Sequence, residues 1–101
     1  MSAYFILTHT ITDTERYQKD YIPGVMPFLA KYEGEVVVAE FETEPLQGNP
    51  PKGVVVIRFP SEQAIRDFIE DPGYKPLKNL RISITREANA VMAPEFKTPP
   101  N

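Results

Sequence analysis

The chain opens on an apolar run that shades into polar residues, and the pattern then gives way to helical spacing. Residues 4 to 11, YFILTHTI, are rich in aromatic and β-branched types, which predict a strand ending at Thr12-Asp13, two good helix N-caps. From Asp13 to about Tyr32 the residues Tyr17, Tyr21, Val25, Phe28 and Tyr32 recur at steps of four, four, three and four, the spacing of one helix face. Pro23-Gly24 and Pro27 interrupt that face. Each proline lacks an N–H and crowds the preceding turn, so the helix is expected to kink or restart near Ile22, leaving the carbonyls of Lys19 and Pro23 without their usual donors. Gly34 is expected to end it.

EVVVAEFET reads as a second strand, PLQGNPPKG as a turn-forming loop and GVVVIRF as a third strand, whose continuous apolar run suits a central place in a sheet. Ser61 is placed as the N-cap of a helix on which Ala64, Ile65, Phe68 and Ile69 share a face. Asp71-Pro72-Gly73 stops that helix. Pro76 can open another over residues 75–85, with Tyr74, Leu77, Arg81 and Ile84 near one side. ANAVMA, residues 88 to 93, predicts a fourth strand, and PEFKTPPN a loose tail; the domain is expected over residues 1–94 and a flexible C-terminal tail over 95–101. The order βαββαβ is that of an α+β, ferredoxin-like fold, an antiparallel four-stranded sheet with helices on one face.

Strand parity assigns the two faces of this sheet. One set, Phe5, Leu7, His9, Ile11, Val37, Ala39, Phe41, Val55, Ile57 and Phe59, is expected to face the helices. The other contains Tyr4, Ile6, Thr8, Val36, Val38, Glu40, Val54, Val56 and Arg58. Half of that second set is apolar and no element is left to cover it, so a homodimer packed sheet against sheet is expected. Arg58 is expected diagonal to Glu40, within reach of a cross-strand ion pair.

Composition narrows the function classes. The chain has 101 residues, enough for one domain, with eleven prolines, a net charge of −3 and no cysteine. Its pI near 5.1 and the lack of a Lys/Arg cluster argue against nucleic acid and against an anionic membrane surface as partners. The absence of cysteine rules out disulfides, thiolate metal sites and a cysteine nucleophile, and fits a reducing, cytoplasmic location. The first residues, MSAYFILTHT, lack the basic and apolar regions of a signal peptide. One histidine and no cysteine leave little with which to hold a metal, and no cofactor is implied.

Taken together, YFILTHTITDTERYQKDY, Pro27, Gly34, VVVIRFPS with the helix after it, DPGY and Arg81 resemble the domain-of-unknown-function 1330 family, within the dimeric α/β-barrel superfamily. The resemblance implies a ferredoxin-like protomer whose sheet pairs with a second copy into a barrel, and it implies no established activity. The family pattern carries a Glu before the Gly of the second-to-third strand loop and another where the third strand reads EFPS; here those places hold Gln47 and Arg58, which withdraws support for an acid–base role resting on those carboxylates. Relatives elsewhere in the superfamily look like cofactor-free monooxygenases, haem-degrading proteins and lactone isomerases, with a pocket between sheet and helices.

The candidate chemistry lies on that inner face. His9, the single histidine, has a side-chain pKa suited to a general base at neutral pH, although a His among Phe5, Leu7 and Ile11 also suits a buried structural role. Arg81 falls on the apolar side of its helix, where a guanidinium needs a carboxylate, a carbonyl or a bound anion. His9 and Arg81 are therefore the candidate catalytic residues; Tyr17, Tyr21, Tyr74 and Arg81 are the candidate ligand-binding residues. The reading is a homodimer that binds a small anionic or aromatic molecule between helices and sheet, with cofactor-free proton transfer or oxygenation as its chemistry. The alternative is a non-enzymatic dimeric module, favoured if side chains fill that space and Arg81 is fully paired.

Overall fold

The computed structural model describes residues 1–97. Four strands, β1 (Ala3–Ile11), β2 (Glu35–Glu40), β3 (Gly53–Phe59) and β4 (Thr85–Pro94), form one antiparallel sheet in the order β2-β3-β1-β4. The helices lie on one face: α1 (Thr14–Arg16), a π-helical turn (Tyr17–Tyr21) and α2 (Ile22–Lys31) between β1 and β2, then α3 (Glu62–Glu70) and α4 (Lys75–Ser83) between β3 and β4. This is the expected βαββαβ fold, and β3, with its continuous apolar run, is one of its two inner strands.

Local chemistry sets the helix boundaries. Asp13 caps the first segment by accepting from Arg16 N at 3.1 Å, and Ser61, in extended backbone, caps α3 by accepting from Ala64 N at 3.1 Å. The break predicted near Ile22 takes the form of a π-helical turn: Ile22 N–H bonds to Tyr17 O, one residue further back than in an α-helix, and α2 starts there. The wider turn relieves the clash that the Pro23 ring would make with the Lys19 carbonyl. Gly24 then allows close helix packing, since a Cβ on it would sit 2.6 Å from a methyl of Leu77 on α4.

Between the helices and the sheet lies one apolar core centred on Phe68, whose ring packs on Phe59 at 5.6 Å and on Tyr74 at 4.4 Å between centroids. Deleting any of these rings would cost several kcal/mol, roughly 3–5 by the usual large-to-small scale.

Two irregularities correct the parity assignment. A bulge at Val37 interrupts β2, so that Val36 lies opposite Ile57 and faces the helices, while Val38 lies opposite Val56 on the outer face. A second bulge, in β4 opposite His9, holds Glu87 at a φ of 55°, left-handed for a non-glycine residue, and starts the strand at Thr85 instead of Ala88. The ion pair expected between Arg58 and Glu40 does not form: Glu40 lies opposite Val54, and Arg58 Nη2 meets Glu95 at 3.2 Å. Glu95 N also donates to Ser2 O at 2.9 Å, so the start of the segment expected as a tail is tied to β1; residues 98–101 lie outside the described residues.

The outer face carries Ile6, Val38, Val54, Val56 and Val91, and among the described residues nothing covers it; Val91 is 58% exposed.

Candidate functional site

The π-helical turn and the bulge at Val37 together shape a cavity of about 250 Å³ between helices and sheet. The turn directs Tyr17 and Tyr21, rings 5.1 Å apart, into it, and the bulge brings Val36 to its wall beside Ala39 and Phe41. Tyr74 enters from the start of α4, held there by Asp71: its carboxylate accepts from Gly73 N at 2.8 Å, from Lys31 Nζ at 2.8 Å and from the Tyr32 hydroxyl. Those donors hold the Asp71 carboxyl down to about 2, Lys31 most strongly. The rest of the wall is aliphatic or aromatic.

Of the five residues singled out from the sequence, Tyr17, Tyr21 and Tyr74 line this cavity, and His9 and Arg81 do not. They stand behind the tyrosines, and both are buried. The His9 ring stacks on Tyr17 with centroids 5.5 Å apart and meets the edge of Phe41. Its backbone is hemmed in as well, because a Cβ on Gly53 opposite would lie 2.6 Å from the His9 carbonyl oxygen. Among the described residues neither ring nitrogen of His9 has a hydrogen-bond partner, and neither does Arg81 Nε. Burial, and next the nearby Arg81 cation, push the imidazole down to about 4, so His9 is neutral at pH 7. Burial pulls Arg81 down too, but the oxygens of Tyr74, Tyr21 and Tyr17 more than offset it and the guanidinium stays charged.

The tyrosines are neutral. Burial pushes Tyr17 up to about 12. Tyr21 is raised further, first by burial and then by Tyr74, whose hydroxyl lies 2.8 Å from its own. The cavity can therefore hold an apolar body against ring faces, and its wall offers almost no polar surface. Among the described residues no group of three or more His, Asp or Glu side chains gathers to hold a metal. No helix among them is long and apolar enough to cross a membrane.

A second, more polar hollow of about 390 Å³ adjoins the first, with Thr10, Thr14, Gln18, Glu40, Glu42 and Lys52 around it, and Tyr17 and Phe41 form a wall common to both. Sequence reading did not single out Phe41 or Val36 for the site. Phe41 was legible as an inward aromatic, whereas a bulge without glycine leaves no trace in the sequence around Val36.

Residues 2–95 match the family described as Domain of unknown function (DUF1330), and the chain belongs to it. Among curated proteins none matches. Several solved structures share the fold: a protein of unknown function from Rhodopseudomonas palustris (17% identity, 96% of this chain and 84% of that one, TM-score 0.79); SnoaB, a cofactor-independent oxygenase from Streptomyces nogalater (16%, 99% and 98%, TM-score 0.68); and a putative antibiotic biosynthesis monooxygenase from Bacteroides thetaiotaomicron (20%, 96% and 96%, TM-score 0.56). At these identities the likeness extends to the fold alone.

Proposed function

We propose that this member of the DUF1330 family is a homodimer that binds a small aromatic molecule in the cavity between helices and sheet. The observation that carries the reading is the cavity itself: about 250 Å³ of space walled by Tyr17, Tyr21, Tyr74, Phe41 and aliphatic side chains. A dry apolar cavity of about 150 Å³ is enough to bind benzene, so there is room here for a two-ring molecule. The same walls favour an aromatic ligand over an anionic one, because Arg81 stands behind the tyrosines and the wall presents no cation. The non-enzymatic alternative would be supported by a filled helix–sheet space and a fully paired Arg81; the open cavity and the unpartnered Arg81 Nε favour ligand binding.

What supports dimerisation is the outer face, where Ile6, Val38, Val54, Val56 and Val91 form an apolar surface that a second copy would cover with its own. Cofactor-free proton transfer or oxygenation is the chemistry this reading favours, supported by the fold shared with SnoaB, a cofactor-independent oxygenase. Within it His9 would be the base, and Tyr17 would have to turn aside to admit substrate to it.

Naphthalene titrated into the labelled protein should produce saturable amide shifts at Leu29, Ala39 and Val55, and Ala39→Trp, which places an indole in the cavity mouth, should abolish them. Absence of saturable binding by the wild-type protein would overturn the reading.

A further inference from the structure

The ladder between β1 and β3 ends at the pair His9–Gly53, because β3 begins at Gly53, whereas β1 runs on against β4 as far as Ile11. The sheet is therefore notched beside Thr10, and the polar hollow of about 390 Å³ occupies the notch, with Lys52 and Gly53 across from Thr10 and with Thr14 and Gln18 from the helical layer. Its chemistry is the reverse of the cavity's. The two spaces meet at Tyr17 and Phe41, whose rings touch edge to face at 5.3 Å and line both.

Both walls change character at that contact. The π-helical turn gives Tyr21 to the cavity and Gln18 to the hollow; at the end of β2, Ala39 belongs to the cavity and Glu42 to the hollow. His9 stands at the same level, since Tyr17, Phe41 and Gly53, the groups packed around it, all line the hollow. Phe41 is half-buried and lies one residue past Glu40, the last ladder partner on β2, so its ring can turn without breaking the β2–β3 ladder. The charges in the hollow do not balance: two carboxylates, Glu40 and Glu42, meet one ammonium, Lys52, which leaves one negative charge. Lys52 pairs with Glu42 at 3.6 Å, and among the described residues Glu40 has no ion-pair partner.

We infer that cavity and hollow are two halves of one site, and that its ligand is an arylalkylamine, with the ring system in the cavity and the protonated amine in the hollow beside Glu40. The inference rests on the proposal that the cavity binds an aromatic molecule, and it adds the substituent and its place. An apolar space with a few polar groups at one end is the usual form of a small-molecule site. A carboxylate in the hollow would face Glu40 and Glu42 as like charges, and a hydrocarbon would leave the hollow unused. The chain between ring and amine crosses the contact of Tyr17 with Phe41 as Phe41 turns aside, which brings its carbon atoms next to His9.

The test compares 2-(2-naphthyl)ethylamine, 2-ethylnaphthalene and 2-naphthylacetate, which share a ring system and differ in the end of the chain. At low salt the amine should bind the wild-type protein about fivefold more tightly than the hydrocarbon, the scale of one exposed ion pair, and the carboxylate more weakly than either. Molar salt should remove most of the amine's advantage. In the labelled protein the amine and the hydrocarbon should both shift the amides of Leu29 and Val55, and the amine alone should also shift Thr10, Thr14 and Gln18. Glu40→Gln should bring the amine down to the level of the hydrocarbon; an advantage that survives in that variant would overturn the assignment to Glu40. Equal affinity of amine and hydrocarbon for the wild-type protein would overturn the amine inference and leave the aromatic cavity standing. Binding of neither would overturn both. Shifts from the amine at Thr10 and Gln18 with none at Leu29 and Val55 would make the hollow a separate cation site and overturn the two-part site. The amide shifts are read on the wild-type protein, so the inference does not depend on the variant folding.

Discussion

Two polar clusters, one within the helical layer and one between that layer and β1, are built on opposite terms. Around Asp71 one carboxylate collects three donors, from Lys31, Tyr32 and the backbone of Gly73, and it ties the end of α2 to the joint between α3 and α4. Around Arg81 the count does not close: Arg81 Nε and both nitrogens of His9 lack partners, and two tyrosines share one bond. Both Asp71 and Arg81 are buried, but Lys31 carries the Asp71 cluster out to solvent, whereas the Arg81 cluster stands behind the cavity wall. A polar group with all its partners stabilises, and one left incomplete beside a cavity points to binding. On the proposed function, the difference separates the groups that hold the fold from those that stand beside the ligand cavity.

Breaking the completed cluster should have the largest effect. Asp71→Ala strands the Tyr32 hydroxyl and the Gly73 N–H at once and frees Lys31, so the midpoint of urea denaturation should fall further than for any other variant named here. Asp71→Asn keeps an acceptor oxygen and should fall less. If Asp71→Ala unfolds at the wild-type midpoint, the cluster has no structural role and the contrast fails.

Acid should separate the two clusters next. His9 takes up a proton near 6.5 when unfolded and only near 4 when folded, so between those values the unfolded state binds more protons and stability falls as pH falls. The loss should approach roughly 3 kcal/mol by pH 4. The carboxyl of Asp71 is depressed from 3.8 to about 2, so its contribution is present above pH 4 and is lost only below it. His9→Phe, which keeps the stack on Tyr17, should flatten the upper window and leave the lower one. Thermal unfolding followed from pH 7 to pH 2 reads both; a wild-type protein equally stable at pH 7 and pH 4.5 would show that His9 is not held neutral by the fold.

Much of this arrangement was legible in the sequence, and the exceptions share a cause. Ser61, the Asp13 cap, the restart near Ile22 and the inward positions of Tyr17, Tyr21 and Tyr74 all follow from local rules, because capping, proline geometry and helical spacing act within a few residues. The errors arose where long-range register decides. Parity counting carried Val37 inward and Val36 outward because nothing in EVVVAE marks a bulge, and the connection between Glu40 and Gly53 is too long to fix how the two strands slide. The same slide separates Glu40 from Arg58, whose partner Glu95 lies beyond the last strand. Spacing could place Arg81 and His9 on the inner side, but depth is a matter of packing, and only packing sets them behind the tyrosines.

The smallest effect on stability should come from the residue most expensive to bury. Arg81 is 7% exposed, forms no ion pair among the described residues and leaves Nε unpartnered. A buried cation in that position loses hydration without full repayment, and replacing buried charges with well-packed apolar side chains is often neutral or stabilising. Arg81→Met retains most of the volume and should change the denaturation free energy by about 1 kcal/mol or less. A variant destabilised as strongly as Asp71→Ala would place Arg81 with the structural cluster, and the contrast between the two would dissolve into two versions of the same clamp.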